Sequence, residues 1–220
     1  MSQSSTKTLR IVVLVASLLA GAIAIVWVVR SSVAKSGVPS QSAPKHPEIY
    51  GEVPEFQFTN QDGKAFGKAQ LLGKVSIANF IFTRCRTVCP VFTMKMQRVA
   101  EKTSNDIQLL SFSVDPEYDT PEVLAAYAKE HGVDTSRWHF LTGDAKAVKD
   151  TVAGALKISM ELEGIDEEGI PDIVHGGHFV LFDGMGRIRG YYNSDDADDA
   201  DRIQIMIKDA VWLAEQVSPK

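Results

Sequence analysis

The sequence predicts a three-layer α/β sandwich with an N-terminal membrane-spanning helix, and three observations carry that expectation. Two compact apolar runs, residues 75–82 (VSIANFIF) and 107–114 (IQLLSFSV), have the length of strands buried on both faces. Segments with helical spacing of apolar residues follow them, and a strand–turn–strand pattern leads into a last amphipathic helix. One uncharged apolar run, residues 11–29, stands apart near the start of a chain of 220 residues.

That run holds nineteen residues. At helical rise they span roughly 28 Å, the thickness of a bilayer's hydrocarbon core. Trp27 sits near one end, where an indole suits the headgroup region. Lys7 and Arg10 precede the run and Arg30 and Lys35 follow it, so flanking charge does not orient it. The short leading tail favours a signal-anchor, with the tail inside and the rest exported. A cleaved signal peptide with Ser32-Val33-Ala34 as its cleavage site is the competing expectation, and the run is longer than the usual apolar region of such peptides. The expected organisation is a tail over 1–10, a single-pass anchor over 11–30, a flexible Ser/Ala/Pro-rich linker over 31–48 and one domain over 49–220. The formal charge of -5 argues against a nucleic-acid partner.

Within the domain, Phe56 and Phe58 alternate with polar residues, and Asn60-Gln61-Asp62-Gly63 turns the chain back to Phe66 in a small hairpin. After the first apolar strand, Phe92, Met96, Val99 and Ala100 predict a helix over 90–102. After the second, Asp115-Pro116-Glu117-Tyr118-Asp119-Thr120-Pro121 reads as a loop, with Thr120 or Asp119 capping a helix that runs to His131 and ends at Gly132. Residues 138–141 form a short strand, and Asp144 caps a helix to Leu156. Residues 179–182 and 188–192 pair across Asp183-Gly184-Met185-Gly186. A final helix over 199–216 presents Ile203, Ile207, Ala210, Val211 and Ala214 as its apolar stripe.

The only two cysteines, Cys85 and Cys89, follow the first apolar strand at once and precede Pro90. A disulfide between them would close a minimal loop, which in the chain-entropy picture stabilises little. The pair therefore reads as chemistry: a redox couple or a soft-metal clamp. An exported pair meets an oxidising compartment. The start of the helix offers unpaired amides and positive dipole that favour thiolate, and Arg84 and Arg86 bracket Cys85. A helical register over the segment would place both sulfurs on one face. A cysteine pair between a central strand and its helix is where a thioredoxin-type fold carries its active site.

Further along, Val174-His175-Gly176-Gly177-His178 precedes a strand. Two thiolates and one imidazole make a three-donor set suited to copper, sulfur for Cu(I) and nitrogen for Cu(II), whereas structural zinc usually takes four ligands. On this reading Cys85, Cys89 and His175 are the metal ligands, and Cys85 and Cys89 the redox pair.

The chain resembles the Sco/SenC family of membrane-anchored, thioredoxin-like copper proteins that help assemble the copper centre of cytochrome c oxidase. The resemblance rests on Phe82-Thr83-Arg84-Cys85-Arg86-Thr87-Val88-Cys89-Pro90, on Ser113-Val114-Asp115-Pro116-Glu117-Tyr118-Asp119-Thr120-Pro121, and on His175 eight residues before Asp183 of a turn; it covers about residues 49–215. It implies that Cys85 and Cys89 are the copper-binding and redox cysteines and that His175 is the metal histidine. His178 does not match that position. The chain departs from the family in having Val174 where an acidic residue often precedes the histidine, and glycines after it. The implied partner is an oxidase subunit carrying a copper site, met on the exported side of a membrane (periplasm, intermembrane space or cell surface). The implied role is a copper chaperone. Its alternative is a thiol–disulfide oxidoreductase that keeps a partner's copper-site cysteines reduced. A peroxide-handling enzyme ranks last.

Other candidates have plainer readings. Asp115, Glu117 and Asp119 are explained by capping and turns. The acidic run Asp195, Asp196, Asp198, Asp199 and Asp201 suits a helix start. Met96 belongs to a core stripe, Met94 is expected to be exposed, and His131 and His139 are expected to be structural.

Overall fold

The two apolar runs are adjacent parallel strands, β4 (Val75–Ile81) and β5 (Ile107–Ser113), and every residue in both is buried. The computed structural model describes residues 46–86, 88–165, 171–175, 177–194 and 199–217. The expected anchor over 11–30 and most of the linker lie outside them. Among the described residues no helix is long and apolar enough to cross a membrane.

The remaining elements are β1 (Gly51–Glu52), β2 (Gln57–Asn60), β3 (Ala65–Gly67), α1 (Val88–Lys102), α2 (Pro121–Glu130), β6 (Trp138–Thr142), α3 (Ala145–Lys149), β7 (Met160–Ile165), β8 (Pro171–His175), β9 (His178–Phe182), β10 (Arg187–Asn193) and α4 (Asp199–Val217). Eight strands form one mixed sheet in the order β1-β10-β9-β4-β5-β6-β2-β3. β4, β5 and β6 run parallel through the helical crossovers α1 and α2. β9 lies antiparallel to β4, and β10 antiparallel to β9. A βαβ unit joined to a ββα unit in this strand order is the thioredoxin-like arrangement. It places the β4–α1 junction at the C-terminal ends of the central parallel strands, where open α/β sheets carry their sites.

Side-chain alternation divides the sheet. The register Ser111↔Phe140 and Phe112↔Leu141 sends Phe140 and Phe112 to opposite faces. On the Phe140 side, Tyr127 of α2 contacts Phe140, and its hydroxyl bonds Thr93 of α1 at 2.8 Å. Phe92 of α1 meets Phe179 of β9 edge-on, and α4 packs against α1, β4 and β10. The opposite face stacks Phe80 on Phe112, with Phe56 and Phe58 meeting Phe112 edge-on. Arg137 closes the far end of α1 by donating to the carbonyls of Ala100, Thr103 and Ser104, the groups a helix end leaves unpaired.

Most expected boundaries hold, and the exceptions have local causes. The hairpin pairs Phe58 with Phe66 across a turn in which Gly63 takes φ +73, a value that favours glycine. Thr120 caps α2, accepting the Val123 amide at 3.4 Å, with Pro121 in the first turn. Asp144 caps α3 as expected, but the helix then widens into a π-helical stretch, Asp150–Ala155, where the Leu156 amide reaches Thr151 O. That wide turn brings Val148, Val152 and Leu156 into the core together. The last helix buries Met206, Ile207, Ala210 and Leu213, not Val211; one residue beyond Ala210 is 100° around the helix, toward solvent. The β7–β8 ribbon is an element the sequence reading lacked, although Met160-Glu161-Leu162-Glu163 alternates apolar and acidic residues.

Candidate functional site

The cysteine segment leaves β4 at Phe82 and turns immediately, with the Cys85 amide donating to Phe82 O at 3.2 Å. Cys85 therefore precedes α1, while Cys89 is the second residue of that helix. The expectation of a shared helical face gives way to a loop-to-helix contact. The Cys89 amide, a first-turn N–H with no acceptor inside the helix, donates to the Cys85 sulfur at 3.4 Å. The positive end of α1 thus points at Cys85, as the sequence suggested. No disulfide joins the pair.

The two thiols differ. Cys89 is wholly buried, and Cys85 is slightly accessible at 9%. Hydrogen bonding to the Cys85 sulfur, then burial, push the Cys89 thiol well above its ordinary range. This asymmetry fits Cys85 as the attacking sulfur and Cys89 as the resolving one.

Behind the pair lies a buried polar cluster built by the second sequence block. Asp119 is fully buried and accepts from the Thr83 amide at 3.2 Å, the Thr83 hydroxyl, and the Ser113 hydroxyl at 2.6 Å. Burial raises its carboxyl above the ordinary carboxylate value despite these donors. Tyr127 is pushed up to about 12, chiefly by burial, with Cys89, Cys85 and Asp119 acting in the same direction. Asp115 takes Arg84 through Nε at 2.9 Å and Nη2 at 2.6 Å, and the guanidinium lies 4.4 Å over the Tyr118 ring. Two expectations are corrected here. Arg84 is neutralised by Asp115 and does not lend its charge freely to Cys85. Asp115 and Asp119 do more than cap and turn: they brace the cysteine loop from the end of β5.

His175 ends β8, and its backbone pairs with Met160 of β7. Its side chain, like Thr87 and Gly176, lies outside what the structure describes. His178 opens β9, opposite Asn193, and its Nδ1 is buried with no hydrogen-bond partner among the described residues. Among the described residues no three His, Cys, Asp or Glu side chains gather as a metal cluster. The structure brings Cys85 and Cys89 together, and two sulfurs suit a soft cation. Met96 is buried in the core and Met94 is exposed, as expected. His131 caps α2 and packs against Tyr127, and His139 packs against Phe66, both structural roles. Of the acidic run, Asp195, Asp196 and Asp198 lie outside the described residues, while Asp199 and Asp201 fall in the first turn of α4.

Comparison with known proteins follows the same architecture. The SCO1/SenC family profile matches residues 45–211. The chain is 33% identical over 166 residues to the SCO1 protein homolog of Bacillus subtilis strain 168, covering 74% of this chain and 84% of that protein. It is 26% identical over 143 residues to a proposed copper-binding protein of Stutzerimonas stutzeri, 63% of this chain and 68% of that one. The fold resembles the crystal structure of a SCO1/SenC family lipoprotein from Bacillus anthracis str. Ames, at TM-score 0.65 and 36% identity over 77% of this chain and 98% of that chain. It also resembles BsSco, a disulfide-switching member of the Sco family of cytochrome c oxidase assembly proteins, at TM-score 0.62 and 33% identity over 76% and 96% of the two chains. With a family match over residues 45–211 that includes the cysteine loop, this chain belongs to the SCO1/SenC family.

Proposed function

We propose that this protein is a copper chaperone for cytochrome c oxidase assembly, tethered by residues 11–30 and carrying its domain on the exported side. Copper is its cargo, held by Cys85, Cys89 and His175 and passed to an oxidase subunit by ligand exchange. One observation carries the reading: two buried cysteines brought together at the start of α1, the Cys89 amide donating to Cys85 Sγ at 3.4 Å, at the centre of a SCO1/SenC fold. Soft thiolates favour Cu(I), and an imidazole extends the set to Cu(II). The oxidase context comes from BsSco and the copper context from the Stutzerimonas relative. The anchor and the exported location rest on the apolar run over residues 11–29, which is long enough to cross a bilayer as a helix.

Copper titration of the reduced protein tests the reading. The wild type should retain one equivalent through desalting, and His175→Ala should lose it. If His175→Ala holds copper as well as the wild type, His175 is not a ligand.

A second reading is favoured by the unequal thiols. Cys85 would attack a partner's disulfide to give a mixed disulfide, and Cys89 would then displace the partner's thiol. The pair gives up two electrons and two protons, and the partner's two cysteines receive them. Turnover of a partner disulfide, unaffected by His175→Ala and with no copper bound, would favour this role over metal delivery.

A further inference from the structure

In the sequence, His175 is separated from β9 by two glycines, Gly176 and Gly177. On its other side it belongs to the β7–β8 ribbon, which is not hydrogen-bonded into the main sheet. The structure supplies a tie elsewhere. The buried Gly177 carbonyl accepts both the amide of Ser194, at 2.8 Å, and its hydroxyl, at 2.9 Å. Ser194 is 1% exposed, and its own carbonyl accepts Lys95 Nζ at 2.5 Å. Lys95 stands on α1, six residues after Cys89. Its ammonium also lies 5.2 Å from the centroid of Phe92, whose ring meets Phe179 of β9.

We infer that Lys95 and Ser194 form a clip that positions the His175 loop against the cysteine helix. The inference rests on His175 being a copper ligand. Lys95 touches neither sulfur in any described contact and acts through the backbone, as a positioning residue. The ammonium bonds the last carbonyl of the 178–194 hairpin, and that hairpin holds Gly177 by a forked pair of donors. A shift of Lys95 is therefore passed through Ser194 to Gly177, two residues from His175. A charge-assisted bond to the carbonyl of a buried residue suits such a tie, because partial burial strengthens it.

The test uses the full-length chain, reduced and in mild detergent. Cu(I) affinity is measured by competition with a chromophoric chelator. Lys95→Met keeps the aliphatic stem and removes the ammonium, so it should weaken binding by about tenfold, the scale of lost ligand support. Lys95→Arg should restore most of the loss. In a His175→Ala background, Lys95→Met should have no further effect, because the two act as one unit. A Lys95→Met affinity within about twofold of wild type, beside a weakened His175→Ala, overturns the clip and leaves the ligand assignment standing. Equal losses in both backgrounds also overturn it, since Lys95 would then act through the cysteines or overall stability. If His175→Ala leaves the affinity unchanged, the ligand assignment falls and the clip falls with it.

Discussion

The cysteine side and the histidine side of this domain are built by opposite means. Cys85 and Cys89 sit between a fully buried central strand and its helix, and Asp119 and Asp115 brace the turn between them through Thr83 and Arg84. His175 ends a two-stranded ribbon outside the main sheet and is followed by two glycines. Its described ties are backbone bonds along the ribbon and, two residues on, the Ser194–Lys95 link. The difference teaches a division of labour. The cysteines are held by the core, between a buried strand and its helix. The segment that carries His175 belongs to a separate two-stranded ribbon, tied to the cysteine helix by the Ser194–Lys95 link.

The contrast can be broken most directly by stability. Asp119→Ala strands the Thr83 and Ser113 donors in the interior, and the cost should be about 3 kcal/mol in urea unfolding. On the ribbon, Met160→Ala should cost about 1 kcal/mol, because Met160 is only half-buried. Equal costs for the two variants would remove the distinction between a rigid and a lightly attached side.

The pH dependence of stability sharpens it. Burial raises the folded Asp119 carboxyl above its ordinary 3.8, so between the two values the folded state binds more protons than the unfolded chain. Stability from this group is therefore present at low pH and falls as pH rises through that window. Asp183, in the β9–β10 turn, behaves in the opposite sense. Burial works against it, but donation from Arg187 and Arg189 outweighs burial and holds it below 3.8. Its contribution is present above that value and lost as pH falls through the folded one. Asp119→Asn should flatten the first slope and Asp183→Asn the second, read from urea midpoints across the acid range. A wild-type profile unchanged by Asp119→Asn would show that the carboxylate is not held out of its ordinary range.

The smallest effect concerns the two thiols themselves. With reduced protein and a limiting alkylating agent, Cys85 should be modified first, because Cys89 is buried and retains its proton. Peptide mass mapping over time gives the order, and early labelling of Cys89 would reverse the assigned roles.

Much of this was legible in the residues. The continuous apolar runs marked β4 and β5, since a strand buried on both faces has no polar alternation to obscure it. The cysteines marked the site because both lie at one strand–helix junction. Asp119 shows the limit of such reading. Beside Thr120 and Pro121 it looks like a cap, and only the fold reveals that Thr120 takes the cap while Asp119 turns inward to Thr83, thirty-six residues earlier in the chain. The ribbon escaped notice because its alternation is short and rich in glutamate, a residue uncommon in strands.

The sequence by itself determined the family, the sulfur pair, the candidate third ligand and the apolar segment near the start, because each is a local pattern of residue types. The tertiary structure alone decided which cysteine is wholly buried, which carboxylates hold the cysteine turn, and that Lys95 reaches Ser194 across ninety-nine positions. Those outcomes depend on burial and on contacts between distant segments, and neither quantity exists until the chain has folded.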